Sequence, residues 1–220
     1  MNSVYHYEYS SMLERVLAVA YETNYSLPAL EKSISYSSFF QSIEDDINVP
    51  GPIITDEELI KDIFPELNIN LKEIKEYAQT HWVSESYMWI QEQTGLTFEA
   101  IFLKLPIKEM YDLFPIYHEM DFSEILDEFL NRHIRESTFS ILLERCGYNL
   151  SELSNLTHIS YETLYSLKKR RREIKKTSVE IIATLAKVFK VRIETLAEIR
   201  QTTPIDMNKL LADYFKGKEK

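Results

Sequence analysis

Apolar residues recur along the chain at the three- and four-residue spacing of one helix face. Near the start this pattern falls on Met12, Val16 and Leu17, and later it falls on Ile125 and Phe129. No stretch shows the sustained alternation of apolar and polar residues that is typical of a half-buried strand. The sequence therefore predicts an all-α protein.

Helix-starting and helix-breaking residues divide residues 1–135 into short segments. A break is predicted near residues 48–55, where Thr55 begins a capping box with the glutamate three positions on. An apolar stripe over residues 71–78 predicts a further helix, and Pro115 predicts a helix break. Residues 1–135 are therefore expected to form a multi-helix domain.

Residues 136–200 predict five more helices. Gly147 is placed to end the first of them, and Asn149 is placed to cap the second. A tight turn then leads to Ser160, which caps a third helix over about residues 160–169. These residues are expected to fold as a domain of their own.

The apolar positions of these five helices are expected to form the core of that domain. Leu150, Leu153 and Leu156 of the second helix are predicted to face inward. Thr177 and Glu180 have the spacing of a capping box, which predicts the start of the fourth helix.

The run "ELSNLTHISYETLYSLKK", followed by "EIIATLAKVFKVRIETLAE", resembles the Cro/phage-repressor (XRE) type of helix-turn-helix family. In that family a run of the form E-L-A-x-x-T-G-I-S precedes the recognition helix, and L-x-K-L-A-x-x-L-x-V and L-x-E-L follow it. The resemblance covers residues 138–200 and implies a five-helix, lambda-repressor-like domain. The sequence departs from the family where His158 replaces the turn glycine and Leu150 replaces a phosphate-contacting glutamine.

The resemblance implies that the third helix enters the major groove of double-stranded DNA. Carried over by position, Tyr161, Glu162 and Ser166 face base edges, where a carboxylate accepts from a cytosine amino group and an aromatic ring packs on a thymine methyl. The other predicted DNA-contact residues are the helix cap and the positions nearer the phosphates: Ser160, Thr163, Lys168, Lys169, Arg170, Arg171, Arg172, Lys175 and Lys176.

Charge separates the same two regions. The formal net charge of the chain is −10. Residues 1–135 hold 9 Lys and Arg against 24 Asp and Glu, a net −15, whereas residues 136–200 hold 12 against 8, a net +4. The basic region is a candidate for a polyanion, and the acidic region for a protein partner.

Two earlier stretches have a sequence pattern similar to that of the helix-turn-helix. The runs "TGLTFEAIFLKL" and "ISYSSFFQSI" share its order of aliphatic residue, hydroxyl cap and aromatic residue, and Ile34, Leu96 and Ile159 lie 62 and 63 residues apart. One interpretation is a set of degenerate helix-turn-helix repeats, in which Glu44 begins an acidic "EDD" that would repel phosphate. Chance is the alternative, because short capped helices are common in aromatic-rich α proteins.

Signatures of catalysis and of membrane insertion are missing from the sequence. The five histidines show no metal-ligand spacing, and Cys146 is the single cysteine. The sequence contains no P-loop, no nucleophile elbow and no dinucleotide fingerprint. No apolar run approaches the roughly eighteen residues of a membrane span. We therefore expect a cytoplasmic protein that is not an enzyme and uses no cofactor or metal.

Residues 201–220 predict one more amphipathic helix. Thr203 and Pro204 are placed to begin it, and apolar residues between Met207 and Tyr214 share one face. This face is expected either to pack on the domain or to pair with its copy in a homodimer.

The leading interpretation is a sequence-specific DNA-binding transcriptional regulator of bacterial or phage type. In it, the helix-turn-helix binds an operator, and the acidic region oligomerises or binds a partner protein. An antitoxin-like protein, whose acidic region binds a partner and whose helix-turn-helix autoregulates the operon, is the alternative. A protein-binding scaffold that no longer touches DNA is a third.

Overall fold

The computed structural model describes residues 6–45, 54–75 and 77–198, and every regular element among them is helical. This confirms the all-α prediction. Single 3-10 turns form at Leu71–Glu73 and Ile174–Lys176. The α-helices are, in chain order, α1 His6–Glu22, α2 Leu27–Tyr36, α3 Ser38–Asp45, α4 Asp56–Ile63, α5 Ala78–Thr94, α6 Phe98–Lys104, α7 Ile107–Tyr117, α8 Phe122–Arg135, α9 Thr138–Arg145, α10 Leu150–Thr157, α11 Tyr161–Lys168, α12 Val179–Phe189 and α13 Ile193–Ala197.

Helices α1 to α8 enclose one apolar core, which we call the acidic-region core. The long helices α1 and α5 pack against each other, and Leu13 and Tyr87 are fully buried. Aromatic rings meet edge to face through this core, as at Phe40 and Phe98, whose centroids lie 5.5 Å apart. The hydroxyl of Tyr87 donates to the carbonyl of Leu105 at 2.8 Å, so the polar group of this buried side chain has a hydrogen-bond partner.

The predicted capping box at Thr55 is confirmed, because its hydroxyl and the Glu58 carboxylate each accept from the other residue's backbone N–H. The predicted break at Pro115 is wrong, because Pro115 lies inside α7. Because proline has no backbone N–H, Pro115 cannot donate a hydrogen bond to the carbonyl of Tyr111. The side chain of Gln79 donates to that carbonyl at 3.2 Å instead, so the helix continues through the proline.

The helix predicted over residues 71–78 is also wrong. The side chain of Asn70 accepts from the N–H of Lys72 and starts only the 3-10 turn. Tyr77 is extended, with φ −122°, and α5 begins at the next residue. The cap at Asn70 therefore starts a single 3-10 turn, and the apolar spacing over residues 71–78 does not produce an α-helix.

Helices α9 to α13 enclose a second core around Leu153, Leu164 and Leu185. Leu103, which lies on α6, belongs to this second core as well. The prediction that Leu156 faces inward is wrong, because 53% of it is exposed. Successive three-residue steps fall short of the 3.6-residue turn, so the third leucine of α10 rotates away from the core.

The capping box predicted at Thr177 is wrong as well. Ser178 is the N-cap residue of α12, and no side chain caps that helix through a hydrogen bond. Thr177 is buried instead, and its hydroxyl donates to the carbonyl of Glu173. Thr177 therefore stabilises the loop before α12 through this hydrogen bond and does not begin the helix.

Polar contacts join the two cores through α6 and α13. The hydroxyls of Thr97 and Thr195 lie 3.0 Å apart. Nη2 of Arg192 lies 2.8 Å from Oε2 of Glu44, whose carboxylate is fully buried and also accepts from the N–H of Phe98. Burial raises the pKa of Glu44 to about 7, although Arg192 and the Phe98 N–H favour the charged form.

The sequence interpretation of Glu44 as a phosphate-repelling residue is therefore wrong. Its carboxylate is directed into the interface between the two cores and stabilises the position of Arg192. This pairing spans residues far apart in the chain, so no local pattern could indicate it.

Of the two proposed repeats, only the middle stretch has the turn geometry of the helix-turn-helix. At the middle stretch, Gly95 has φ 64° and Thr97 caps α6, as His158 with φ 57° and Ser160 do before α11. The hydroxyl of Thr94 donates four residues back and accepts from the N–H two residues on, as that of Thr157 does. The turn of the middle stretch thus reproduces that of the helix-turn-helix.

The first stretch does not share this geometry. Ser35, at the position of the predicted cap, lies inside α2, and the next helix begins only at Ser38. In the middle stretch α6 is buried along its length, with Ala100 and Ile101 fully covered. Neither stretch presents an exposed recognition helix.

Among the described residues, no helix combines the length and the apolar character needed to cross a membrane.

Candidate nucleic-acid interface

Helices α10 and α11 form a helix-turn-helix whose turn is fixed by side-chain caps. Asn149 accepts from the N–H groups of Ser151 and Glu152, so the predicted N-cap is confirmed and is completed into a capping box. His158 adopts the left-handed conformation, and the hydroxyl of Ser160 then accepts from the N–H of Thr163. The left-handed backbone of His158 and the cap at Ser160 set the direction in which α11 leaves the turn.

One side of α11 is anchored in the second core and the other side is open. Leu164 and Leu167 are buried and hold the helix against α9 and α10. Tyr161, at 49% exposure, and Glu162 face outward, and Ser166 is half-buried. We call Tyr161, Glu162 and Ser166 the recognition face. All three residues predicted to meet base edges therefore lie on one accessible helix.

Tyr165 is a residue of this surface that the sequence analysis missed. Its ring stacks on that of Tyr161 at a centroid distance of 6.2 Å and an interplanar angle of 16°. The guanidinium of Arg171 lies 5.7 Å and the ammonium of Lys169 6.0 Å from the same ring. The four-residue spacing of the two tyrosines was the sequence signal for this contact.

The basic loop, residues 168–176, begins as α11 ends. Arg170 is left-handed, with φ 54°, and the N–H groups of Arg170 and Arg171 donate to the carbonyls of Leu167 and Ser166. This is the hydrogen-bond pattern of a Schellman motif, which turns the chain sharply at the helix end. The side chains that follow are thereby brought beside the recognition face.

Most of the predicted phosphate contacts in this loop are exposed. Five consecutive cations from Lys168 to Arg172 face solvent, and Lys176 pairs with Glu173 at 2.9 Å. The side chain of Lys175 lies outside the described residues. Exposed Lys and Arg beside an accessible helix are suited to backbone phosphates, because phosphate contacts need charge and little shape.

The acidic region contacts the helix-turn-helix domain through other residues. Arg192 is held by Glu44, and the carboxylate of Glu198 lies 3.0 Å from Nζ of Lys104. Arg145 donates to the carbonyl of Leu103. The cations of these contacts lie at the junction of the two cores, whereas the five consecutive exposed cations lie in the basic loop.

A metal centre is not formed in the part of the chain that the structure describes, where no cluster of three or more His, Cys, Asp and Glu residues has ligand geometry. The described part excludes residues 1–5, 46–53, 76 and 199–220 and the side chains of residues 45, 133–135 and 175.

Comparison with known proteins identifies the carboxyl-terminal region. Residues 138–201 match the family model of the Cro/C1-type helix-turn-helix DNA-binding domain, which confirms the resemblance. No curated protein and no solved structure matches the chain significantly. Residues 138–201 contain all five helices α9 to α13. The chain thus carries a Cro/C1-type helix-turn-helix domain at its carboxyl-terminal end, a domain of a DNA-binding family.

Proposed function

We propose that this protein is a sequence-specific DNA-binding transcriptional regulator that inserts α11 into the major groove. The observation that carries this proposal is the exposed recognition face beside five consecutive exposed cations. An α-helix fits the major groove, where each base pair presents a distinct set of donors and acceptors. Affinity and base reading are thereby assigned to adjacent parts of one surface.

The roles of the individual side chains follow from their chemistry. Glu162 accepts from a cytosine amino group, Tyr161 packs on a thymine methyl, and Ser166 hydrogen-bonds a base edge. Ser160 and Thr163, whose hydroxyls lie 2.9 Å apart at the start of α11, face the phosphates. The cations of the basic loop contact the phosphates as well: Lys168, Lys169, Arg170, Arg171, Arg172, Lys175 and Lys176.

Selection of duplexes from a random pool tests the sequence specificity. The full chain is expected to enrich one short site, and Tyr161→Ala is expected to enrich a more degenerate version of it. Tyr148→Ala serves as the matched control, because Tyr148 is exposed on the same domain outside α11. Failure to enrich any site, or an identical site for wild type and Tyr161→Ala, would overturn the proposal.

The regulator is proposed to act as a homodimer. One recognition helix contacts few base pairs, and dimers of this architecture read two half-sites about 34 Å apart on one face of the duplex. The selected site is then a palindrome whose half-sites are separated by about one helical turn. A single unrepeated half-site, together with a monomer in sedimentation on that duplex, contradicts the homodimer.

The acidic region is proposed to face a protein partner and not DNA. Its net charge of −15 repels phosphate. Ile116, at 60% exposure, and Met120, at 48%, add exposed apolar area at the end of α7 and just beyond it.

A further inference from the structure

A cleft of about 400 Å³ lies between the acidic region and the helix-turn-helix domain. The acidic region contributes Leu96, Phe129 and Leu130 to its walls, and the helix-turn-helix domain contributes Phe139 and Leu196. The volume lies within the range of small-molecule sites, roughly 300–1,000 Å³, and such sites form preferentially between domains. The cleft therefore has the size and the apolar lining of a ligand site.

The rim of this cleft belongs to the basic loop. Arg170 and Arg172 line it together with Glu173 and Glu198. Both carboxylates are engaged by cations, Glu173 by Lys176 at 2.9 Å and Glu198 by Lys104 at 3.0 Å. Arg172 is exposed at this rim and is therefore placed to meet an anionic ligand.

Two strained residues occur at the same rim. Arg170 and Glu198 are both left-handed, with φ 54° and 51°, a conformation that costs side-chain-bearing residues of the order of 1 kcal/mol. Strained backbone of this kind clusters at ligand sites and switch regions. Hydrogen bonds from Lys104 and Thr138 hold the Glu198 carboxylate in place.

We propose that this cleft binds a small amphipathic carboxylate whose apolar part packs against Leu130 and Ile174 and whose carboxylate pairs with Arg172. Since the same loop is assigned to phosphate contacts, the bound carboxylate opposes DNA binding. This coupling rests on the proposed function, whereas occupation of the cleft does not. The DNA-binding domain thus carries its own effector site at the junction with the acidic region.

Calorimetric titration of the full chain with octanoate tests the occupation of the cleft. Octanoate is expected to bind saturably, and the uncharged octanamide at least tenfold more weakly. Leu130→Glu places a carboxylate at a wall position that is 36% exposed, and it is expected to weaken octanoate binding at least tenfold. Ile116→Glu, an exposed apolar-to-acid change on α7, should bind octanoate as wild type does.

The coupling is tested by measuring DNA affinity with and without saturating octanoate. The Kd for DNA is expected to rise about fivefold or more in wild type, which is within the usual range of coupling between sites. Leu130→Glu should keep the wild-type DNA affinity without octanoate and lose the octanoate effect.

Three results would overturn the proposal: no saturable octanoate binding, equal binding by wild type and Leu130→Glu, or binding that leaves the DNA affinity unchanged. If the chain binds octanoate as described but binds no DNA, the proposed function fails and the assignment of the cleft stands. The two failures are therefore distinguishable.

Discussion

At the scale of single residues, several non-glycine residues adopt the left-handed backbone conformation, which glycine adopts at a lower cost in free energy. His158 ends α10, Arg170 ends α11 and Lys190 ends α12, each with φ between 54° and 57°. Gly147 is the contrasting case in the same domain, with φ 70°. The left-handed backbone of these three residues costs the domain stability, and His158 and Arg170 lie at the turns on either side of α11.

Replacing His158 by glycine should stabilise the domain. The left-handed strain of the histidine disappears, and the greater freedom of glycine in the unfolded chain offsets part of the gain. The free energy of unfolding is expected to rise by up to about 1 kcal/mol in chemical denaturation. Gly147→Ala is the matched converse, because an added Cβ meets no atom within 4 Å and only the backbone strain acts. A stabilising Gly147→Ala would contradict this account.

Substitution on the recognition face should change base choice more than affinity. Removing the Glu162 carboxylate with Glu162→Gln or Glu162→Ala is expected to reduce discrimination at one base position by roughly 1–3 kcal/mol. Binding competition between the selected site and single-base variants measures it. Glu180→Ala, an exposed glutamate on α12, is the control. Equal loss of affinity for every sequence with Glu162→Ala would show that this residue does not read a base.

At the scale of elements, the helix ends decide the shape of the proposed interface. The Schellman motif at the end of α11 places the basic loop beside the recognition face. Tyr165 extends this arrangement, since its ring contacts both Tyr161 and Arg171. The loop is therefore ordered by the helix it follows.

Neutralising part of the loop should lower the salt dependence of DNA binding. Each cation that contacts a phosphate contributes about 0.9 to the slope of log affinity against log salt. Arg171→Gln with Arg172→Gln is expected to reduce this slope by up to about 1.8 and to weaken all sequences alike. Lys61→Gln with Lys72→Gln removes the same charge from exposed positions of the acidic region. If both double variants reduced the slope equally, the loop would not be the phosphate-binding element.

Several helix starts whose signals are local were predictable from the sequence, although the same kind of signal failed at Thr177. Thr55, Asn149 and Ser160 cap helices as predicted, because a cap needs only its own side chain and the next turn. Elements that depend on distant partners were not. Gln79 satisfies the carbonyl that Pro115 leaves open, and Arg192 turns Glu44 into an interface residue.

The sequence indicated which residues of the proposed DNA interface lie on α11, but it did not indicate how their side chains are arranged. The resemblance placed Tyr161, Glu162 and Ser166 on α11, and the structure brings them together on one accessible helix. The stacking of Tyr165 and the cleft behind the loop depend on side-chain directions and on docking of the acidic region, which spacing does not encode. The predicted helix over residues 201–220 lies outside the described residues.

At the scale of the whole molecule, the two cores share a polar interface. Buried charged groups also make the free energy of unfolding depend on pH. His6 is buried between Glu85 and Glu92 of α5, at 3.0 and 3.2 Å. Burial alone would lower the pKa of His6, but the two carboxylates outweigh it and raise the pKa to about 9. This stabilisation is complete below about pH 6.5, the pKa of an unfolded histidine, and is lost as pH rises through 9.

His6→Gln should therefore destabilise the protein only where His6 is charged. At pH 6 the free energy of unfolding is expected to fall by roughly 3 kcal/mol, from 1.36 kcal/mol per pKa unit. The difference from wild type should shrink by pH 9.5 in chemical denaturation. His118→Gln, at the more exposed C-cap position of α7, is the control. A constant difference across this range would contradict the charged cluster.

The acidic region and the DNA-binding domain are expected to act as one body. Glu44, Glu99 and Lys104 connect them through buried or half-buried contacts with α13 and Glu198. The acidic charge is therefore expected to stay at a fixed position relative to the proposed DNA interface on α11. The salt response of the full chain then reports the basic loop in its native setting.

The salt dependence of DNA binding by the full chain tests the central claim most directly. With at least six of the loop cations on phosphates, affinity for a duplex that contains the selected site should fall by about 10³ between 50 and 200 mM salt. An affinity that stays unchanged over this range, or no binding at 50 mM salt, would contradict the claim that the basic loop and α11 form a DNA-binding surface.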